Sequence, residues 1–137
     1  MKCYAVIDTN VFLSALLSKK EDAATVRVLN AVFDGRIILL YHQKILEEYE
    51  EVLRRKKFQL PESVIQKLIS TVIQCGVEVF PQPTGEILVD MDDLVFYEVA
   101  MEKQDDGAYL VTGNQKHYPI KKFIVSSNEI VCPDKFL

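Results

Sequence analysis

Oxygen-bearing side chains stand beside apolar segments at four places in the chain. Asp8 ends an apolar run, and Glu48 lies within an amphipathic segment. An aspartate near position 93 precedes another apolar segment, and Asn114 follows a fourth. Hard oxygen ligands without histidine or cysteine partners favour Mg²⁺ or Mn²⁺ over zinc. A carboxylate-held ion of this kind suits phosphodiester hydrolysis, because the metal activates water and stabilises charge on the scissile phosphate.

The helix predicted over residues 44–56 carries four glutamates, and its apolar stripe distinguishes one of them. On a helical wheel of ~100° per residue, Glu48 lies roughly 90° from the centre of the stripe. Glu47 and Glu51 lie nearly opposite the stripe and are therefore expected to be solvated. Glu48 is the carboxylate that we expect to lie against the rest of the protein rather than in solvent.

Asp90, Asp92 and Asp93 form the densest acidic cluster of the chain. Helix capping by Asp92 or Asp93 would explain one of them, since aspartate accepts N–H bonds at the first turn of a helix. Capping does not explain three aspartates within four residues. Like charges so close together repel unless solvent, protonation or a cation relieves them. The cluster is therefore a candidate source of further metal ligands.

Alternating strands and helices must hold these residues. Strands are expected over 3–7, 37–41, 77–80, 109–112 and 123–125, and helices over 11–17, 23–33, 44–56, 62–75 and from 92 or 93 to 100. This alternation predicts an α/β domain with a mainly parallel sheet. Ligands of such sheets bind beyond the carboxyl ends of the strands, so Asp8 and Asn114 would share one crevice if their strands are neighbours. The two successive helices 44–56 and 62–75 predict a hairpin that stands off the sheet.

The composition is that of an ordinary globular chain. It has 137 residues, of which 49% are apolar and 26% charged, and this predicts a single domain over 1–137 and argues against disorder. The net charge of −4 argues against a general nucleic-acid coat. No apolar run approaches the ~20 residues of a membrane span. Because Cys3, Cys75 and Cys132 are odd in number and far apart, no disulfide framework is expected. We therefore expect a cytoplasmic protein without a membrane partner.

Four short motifs, in this order and at this spacing, resemble the PIN-domain family. They are DTN from Asp8, EYEEVL from Glu48, DMDDLVF from Asp90 and LVTGN ending at Asn114, and together they cover almost the whole chain. The resemblance implies a three-layer α/β fold with a central, mainly parallel sheet of four to five strands flanked by helices. It also implies a metal-dependent ribonuclease that uses Mg²⁺ or Mn²⁺. Many small members are toxins of bacterial type II toxin–antitoxin systems (VapC-like), inhibited by a cognate antitoxin and often dimeric. Apolar positions on helices 23–33 and 62–75 could form such an interface, although core packing explains them equally well.

The resemblance also implies a role for each candidate residue. Asp8 would be the metal ligand at the strand end, Glu48 the acid on the helix, and Asp93 the third acid. Asn114 falls at or beside the fourth catalytic position, where many PIN domains carry aspartate. Asparagine brings no negative charge, so we expect one firm metal site and a second that forms only with substrate. Residues expected to have accessory roles are Asn10, Asp90, Asp92 and Thr112, and Asp92 or Asp105 could supply extra charge.

Basic residues flank the expected acidic cleft on both sides. Arg54, Arg55 and Lys56 follow the helix of the candidate glutamate, and Lys116 follows the fourth candidate position. Such residues would contact the phosphates of an RNA substrate and would position it without reading its sequence. A helix C-terminus also favours solvated cations, so a purely structural role stays open for each of them.

Histidines and tyrosines near the candidate site are expected to have structural roles. His42 and His117 lack metal-ligand spacing. Tyr41, Tyr49 and Tyr118 could stack on RNA bases, but aromatic packing accounts for each of them.

Other enzyme classes with a strand that ends in aspartate fit this chain less well. A phosphatase of the haloacid dehalogenase type needs a second aspartate two residues after the first, where this chain has Asn10. A receiver domain needs a phosphoacceptor aspartate, and here the second strand ends at Tyr41 and His42. No glycine-rich nucleotide motif is present. The alternative that remains is a degenerate PIN domain that binds RNA or a protein partner without cutting RNA.

Overall fold

The computed structural model describes residues 2–131 and contains a five-stranded sheet. Its strands are β1 (Cys3–Ile7), β2 (Ile37–Tyr41), β3 (Val77–Glu78), β4 (Tyr109–Val111) and β5 (Ile124–Val125). They lie in the order β3-β2-β1-β4-β5, and every neighbouring pair is parallel. The α/β class and the parallel sheet predicted from the sequence are confirmed.

Helices connect these strands and cover the sheet on both faces. Within residues 2–131 they are α1 (Thr9–Leu17), α2 (Ala24–Phe33), α3 (Gln43–Leu53), α4 (Glu62–Cys75), α5 (Leu94–Glu102) and α6 (Ser127–Ile130). Ala5, Val6 and Ile7 of β1 are each 0% exposed. Consecutive residues of a strand point to opposite faces, so both faces of β1 are buried, as expected of a parallel sheet between helical layers. None of these helices has the length and apolarity to cross a membrane.

The register of the central strands places the candidate residues at one edge of the sheet. Ile7 of β1 pairs with Val111 of β4, and the Asp8 amide donates to the Val111 carbonyl at 2.9 Å. The residues that follow these two strands, Asp8 and Thr112, therefore leave the sheet side by side. The first and fourth strands are thus neighbours, which is the condition under which Asp8 and Asn114 were expected to share a crevice.

The helical hairpin formed by α3 and α4 differs from the prediction, because it does not stand off the sheet. Helix α4 packs against both α3 and β2. At its C-terminus, a Cβ on Gly76 would lie 3.0 Å from the Leu39 carbonyl oxygen and 2.4 Å from that of Val72. The apolar face of α4 contributes four residues to the core, namely Ile65, Leu68, Ile69 and Val72.

Several predicted boundaries also shift by a few residues. Helix α1 begins at Thr9 rather than at residue 11, because Asp8 caps it by accepting from the Asn10 amide. Helix α3 ends at Leu53, and a 3₁₀ turn follows at Lys56–Phe58. Strand β3 is shorter than the predicted 77–80.

The cysteines agree with the absence of a disulfide framework within the described range. Cys3 is half-buried and Cys75 is exposed, and both are free thiols. Cys132 lies outside the described residues.

Candidate functional site

Asp8 is fixed at the end of β1 by two hydrogen bonds. It is 5% exposed. Its Oδ1 accepts from the Asn10 amide at 3.2 Å, and its Oδ2 accepts from the Thr112 hydroxyl at 2.8 Å. Thr112 is fully buried, and its Oγ1 also accepts from the Asn114 amide at 3.0 Å. The loop after β4 therefore holds the carboxylate of β1 in one orientation.

Glu48 is half-buried on α3, as its position on the helical wheel predicts. Its Oε2 accepts a hydrogen bond from the hydroxyl of Thr9, the first residue of α1. Burial raises the pKa of Glu48, and the negative charges of Asp8, Asp92 and Asp90 raise this pKa further, while the bond from Thr9 opposes both effects. The pKa of Glu48 on α3 is therefore raised by acids of two other segments, the end of β1 and residues 90–92.

Asp93 is the third acid, at the end of the 3₁₀ turn Met91–Asp93 that leads into α5. Its side chain is 18% exposed. Burial, followed by the charges of Asp8, Asp90 and Glu48, raises the pKa of Asp93 to about 6. His117 Nδ1 lies 3.7 Å from Asp93 Oδ2, and its charge lowers the pKa of Asp93.

We call Asp8, Glu48 and Asp93 the acidic site. Each comes from a different segment. The charge of Asp8 acts on both Glu48 and Asp93, and the charge of Glu48 acts on Asp93. In residues 2–131, however, no three aspartate, glutamate, histidine or cysteine side chains lie close enough together to hold a metal ion as they stand. The acidic site is thus a concentration of negative charge rather than a preformed chelate.

The neighbouring aspartates differ in role from one another. Asp90 Oδ1 accepts from the Asp92 amide at 3.0 Å and so caps the 3₁₀ turn. Asp93 occupies the N-cap position of α5, as predicted, but its side chain makes no capping hydrogen bond, because the chain takes one 3₁₀ turn, capped by Asp90, before α5 begins. Asp90 and Asp92 are exposed, and both contribute negative charge at Glu48. Asp105 is exposed in a different turn, Gln104–Asp106.

Asn114 is connected to the acidic site by its backbone amide rather than by its side chain. Its amide donates to Thr112, which in turn donates to Asp8. The Asn114 side chain is exposed and lines a cleft of about 450 Å³ together with Lys116 and His117. Glu48 and Asp92 line a different cleft of about 470 Å³. A catalytic role for the Asn114 side chain stays a prediction.

The basic residues fall into two groups. Arg54 pairs with Glu50 and Glu62, and Arg55 pairs with Glu51. These arginines lie in ion pairs of the protein itself, which reduces the positive charge they offer to RNA. Lys56 and Lys116 are exposed, and Lys116 lies in the same cleft as Asn114.

Three residues near the acids were not assigned to the site from the sequence. Thr9 binds Glu48, His117 faces Asp93, and Tyr118 is buried where the charges of the acids act on its hydroxyl. Thr9 lies inside the DTN motif, so its position was a usable signal. His117 and Tyr118 carry no spacing that relates them to Asp93, because their approach depends on the loop between β4 and β5.

Comparison with known proteins relates this geometry to one family. A family model described as a PIN domain matches residues 4–116. An uncharacterized protein of Methanocaldococcus jannaschii, MJ1680, is 28% identical over 118 residues, which are 84% of this chain and 73% of that protein.

A similar solved structure is the crystal structure of VapBC2 from Rickettsia felis bound to a DNA fragment from their promoter. The match has a TM-score of 0.51 and 17% identity, and it covers 89% of this chain and 96% of the other. At this identity the likeness concerns the fold. Because the family match spans most of the chain and includes Asp8, Glu48, Asp93 and Asn114, the chain belongs to the PIN domain family.

Proposed function

We propose that this chain is an endoribonuclease that hydrolyses RNA phosphodiester bonds with Mg²⁺ or Mn²⁺ held by Asp8, Glu48 and Asp93. The observation that carries the proposal is the concentration of negative charge around the partly buried carboxylates of Glu48 and Asp93. Burial together with neighbouring negative charge raises the pKa values of Glu48 and Asp93. A divalent cation would relieve that repulsion, and the family to which the chain belongs supports this reading.

The chemistry of the donors fits a hard cation. Every side chain of the acidic site offers carboxylate oxygen, which Mg²⁺ and Mn²⁺ prefer. Within residues 2–131 none of the three pairs with lysine or arginine. Since these side chains do not yet converge as a chelate, binding must draw them together.

The protein's own residues would orient the reaction. Asn10 and Thr112 hold Asp8 in a fixed direction, and Thr9 holds Glu48. When bound, the metal would supply an activated water and charge stabilisation at the scissile phosphate. Asp90 and Asp92 would add negative potential beside Glu48.

RNA would lie over the acidic site with its phosphates on nearby cations. Lys56 and Lys116 are exposed and suited to this contact. Arg54 and Arg55 would have to exchange their glutamate partners for phosphates. Lysine and arginine contacts of this kind position the strand without selecting a sequence.

We also propose that the chain is the toxin of a toxin–antitoxin pair, with an antitoxin partner and a homodimeric state, in the cytoplasm. The similarity to the structure of VapBC2 supports a protein partner of this kind. Helices α2 and α4 turn most of their apolar residues into the core. The segment between β3 and α5 instead exposes four apolar side chains, Phe80, Ile87, Val89 and Met91. Exposed apolar side chains that form a contiguous patch are typical of interaction surfaces, so this segment is a candidate for the partner contact.

A degenerate PIN domain that binds RNA or a protein without cleavage is the second candidate. Two observations favour it. The fourth catalytic position is Asn114 rather than aspartate. The acids of residues 2–131 form no ready chelate.

A nuclease assay with purified protein separates the two candidates. We expect cleavage of single-stranded or structured RNA with Mg²⁺ or Mn²⁺, and none in EDTA. Asp8→Asn should reduce cleavage to background while the circular dichroism spectrum stays unchanged. Asp22→Asn, at an exposed position in another loop, is the matched control and should cleave like the wild type. Cleavage by Asp8→Asn at the wild-type rate would indicate a contaminating nuclease and would favour the binding role.

A further inference from the structure

Tyr118 carries a buried hydroxyl that has no hydrogen-bond partner among the residues that the structure describes. The residue follows the 3₁₀ turn Gln115–His117 and is 6% exposed. Its ring stacks on that of Tyr97, with 6.4 Å between the centroids. Within residues 2–131, its oxygen is the single buried side-chain nitrogen or oxygen without a partner. Because a buried, unpaired hydroxyl is unfavourable, its presence in a folded protein calls for an explanation.

The Tyr118 hydroxyl lies in the electrostatic field of the acidic site. Burial, followed by the negative charges of Asp8, Asp93 and Glu48, raises the pKa of Tyr118 far above its usual range. The phenol is therefore protonated at every physiological pH and can act as a hydrogen-bond donor. The groups whose charges act on it are acceptors.

One acid of the site lacks a donor. Each oxygen of Asp8 already accepts a hydrogen bond, and Glu48 accepts from Thr9. Asp93 accepts no hydrogen bond from the described residues, and its neighbour His117 is at 3.7 Å, which is too long for one. The site thus contains an unpaired donor, Tyr118, and a half-buried carboxylate without a donor.

We propose that Tyr118 is a positioning residue for Asp93: its hydroxyl donates to the Asp93 carboxylate when that carboxylate turns inward to bind a divalent cation. One carboxylate oxygen would then face the cation and the other the phenol. Carboxylates that ligate metals are themselves hydrogen-bonded in this way, and such bonds fix their orientation. The inference rests on the proposed function and explains how acids that do not converge in the free protein become a binding site.

Substitution Tyr118→Phe tests this, because it removes only the hydroxyl. Isothermal titration with Mn²⁺ should show affinity about tenfold weaker than that of the wild type, the effect typical of lost hydrogen bonds to metal ligands. In EDTA, the melting temperature of Tyr118→Phe should equal or exceed that of the wild type, since no hydrogen bond is lost in the free protein. Tyr97→Phe is the matched control, because it makes the same change on the stacked neighbour and should leave Mn²⁺ affinity unchanged.

A spectroscopic signature follows from the same bond. In protein with ¹³C-labelled tyrosine, saturating Mg²⁺ should shift the Cζ resonance of Tyr118, and a resonance that does not move would overturn the inference. Unchanged Mn²⁺ affinity in Tyr118→Phe would also overturn it, as would a lowered melting temperature in EDTA, which would reveal a structural partner.

Cleavage of RNA, measured in parallel, separates this inference from the proposed function. A wild type that binds Mn²⁺ without cleaving RNA would refute the nuclease alone. A wild type that cleaves RNA while Tyr118→Phe keeps full Mn²⁺ affinity would refute only the role of Tyr118. A wild type that does not bind Mn²⁺ would refute both.

Discussion

The Tyr49 hydroxyl donates a hydrogen bond of 2.5 Å to the carbonyl oxygen of Ile7, the last residue of β1. Tyr49 is the neighbour of Glu48 in the chain, and Ile7 is the neighbour of Asp8. One buried bond therefore fastens the helix that carries one candidate acid to the strand that carries another. The Tyr49 ring is also held by edge contact with Phe12, at 5.2 Å between centroids, and by Phe96 at 6.2 Å.

Removal of this bond should cost stability. We expect Tyr49→Phe to lower the free energy of unfolding by about 1–2 kcal/mol, because the buried Ile7 carbonyl loses its side-chain donor. Urea denaturation measures this difference. Tyr4→Phe makes the same change at a partly exposed ring and should have a much smaller effect. Equal losses in the two variants would show that the bond to Ile7 contributes nothing.

The raised pKa of Asp93 predicts a pH dependence of stability. The folded-state value of about 6 exceeds the ordinary value of 3.8, so the folded protein binds more protons than the unfolded chain between these pH values. The contribution of Asp93 to the free energy of unfolding therefore falls as the pH rises from about 4 through 6. Asn at this position mimics the protonated, uncharged form. In EDTA, Asp93→Asn should match the wild type near pH 4 and unfold at higher urea concentration at pH 7.

Urea titrations between pH 4 and pH 8 measure this effect. Asp105→Asn, at an exposed position outside the acidic site, is the matched control and should follow the wild type at every pH. A difference between Asp93→Asn and the wild type that stays constant with pH would contradict the proton linkage. A lower stability of Asp93→Asn at pH 7 would mean that the charged carboxylate makes a favourable contact in the free protein.

Much of the fold follows from local sequence pattern. The apolar runs at 3–7 and 37–41 become β1 and β2 with the predicted bounds, because continuous apolarity suits strands covered on both faces. The placement of the α3–α4 hairpin could not be read in this way. The apolar face of α4 indicates burial but does not name the surface that buries it, and that surface is β2 together with α3.

Some residues of the candidate site could likewise be predicted from local sequence pattern, and others could not. Asp8 and Glu48 could be found because a strand end and a helical face are local properties. The approach of His117 to Asp93 and the burial of Tyr118 among the acids depend on the path of the loop between β4 and β5. No periodicity encodes that path, so these contacts appear only in three dimensions.

Asn114 offers a direct test of how far the acidic site extends. Its backbone is tied to Asp8 through Thr112, and its side chain is exposed beside Lys116. Asn114→Asp adds a negative charge at the position where many PIN domains carry one. If that side chain turns toward the acids, the added charge should strengthen Mn²⁺ binding, which we expect to rise about tenfold, equal to ~1.4 kcal/mol.

The control for this substitution must add the same charge elsewhere. Asn30→Asp does so at an exposed position of α2 and should leave Mn²⁺ affinity unchanged, which separates a local ligand from a change in net charge. Both variants and the wild type are titrated with Mn²⁺ at the same ionic strength. This matters because salt screens long-range attraction much more than it screens direct ligation. Equal affinity in all three proteins would remove the Asn114 position from the cation site and leave it a backbone support of Thr112.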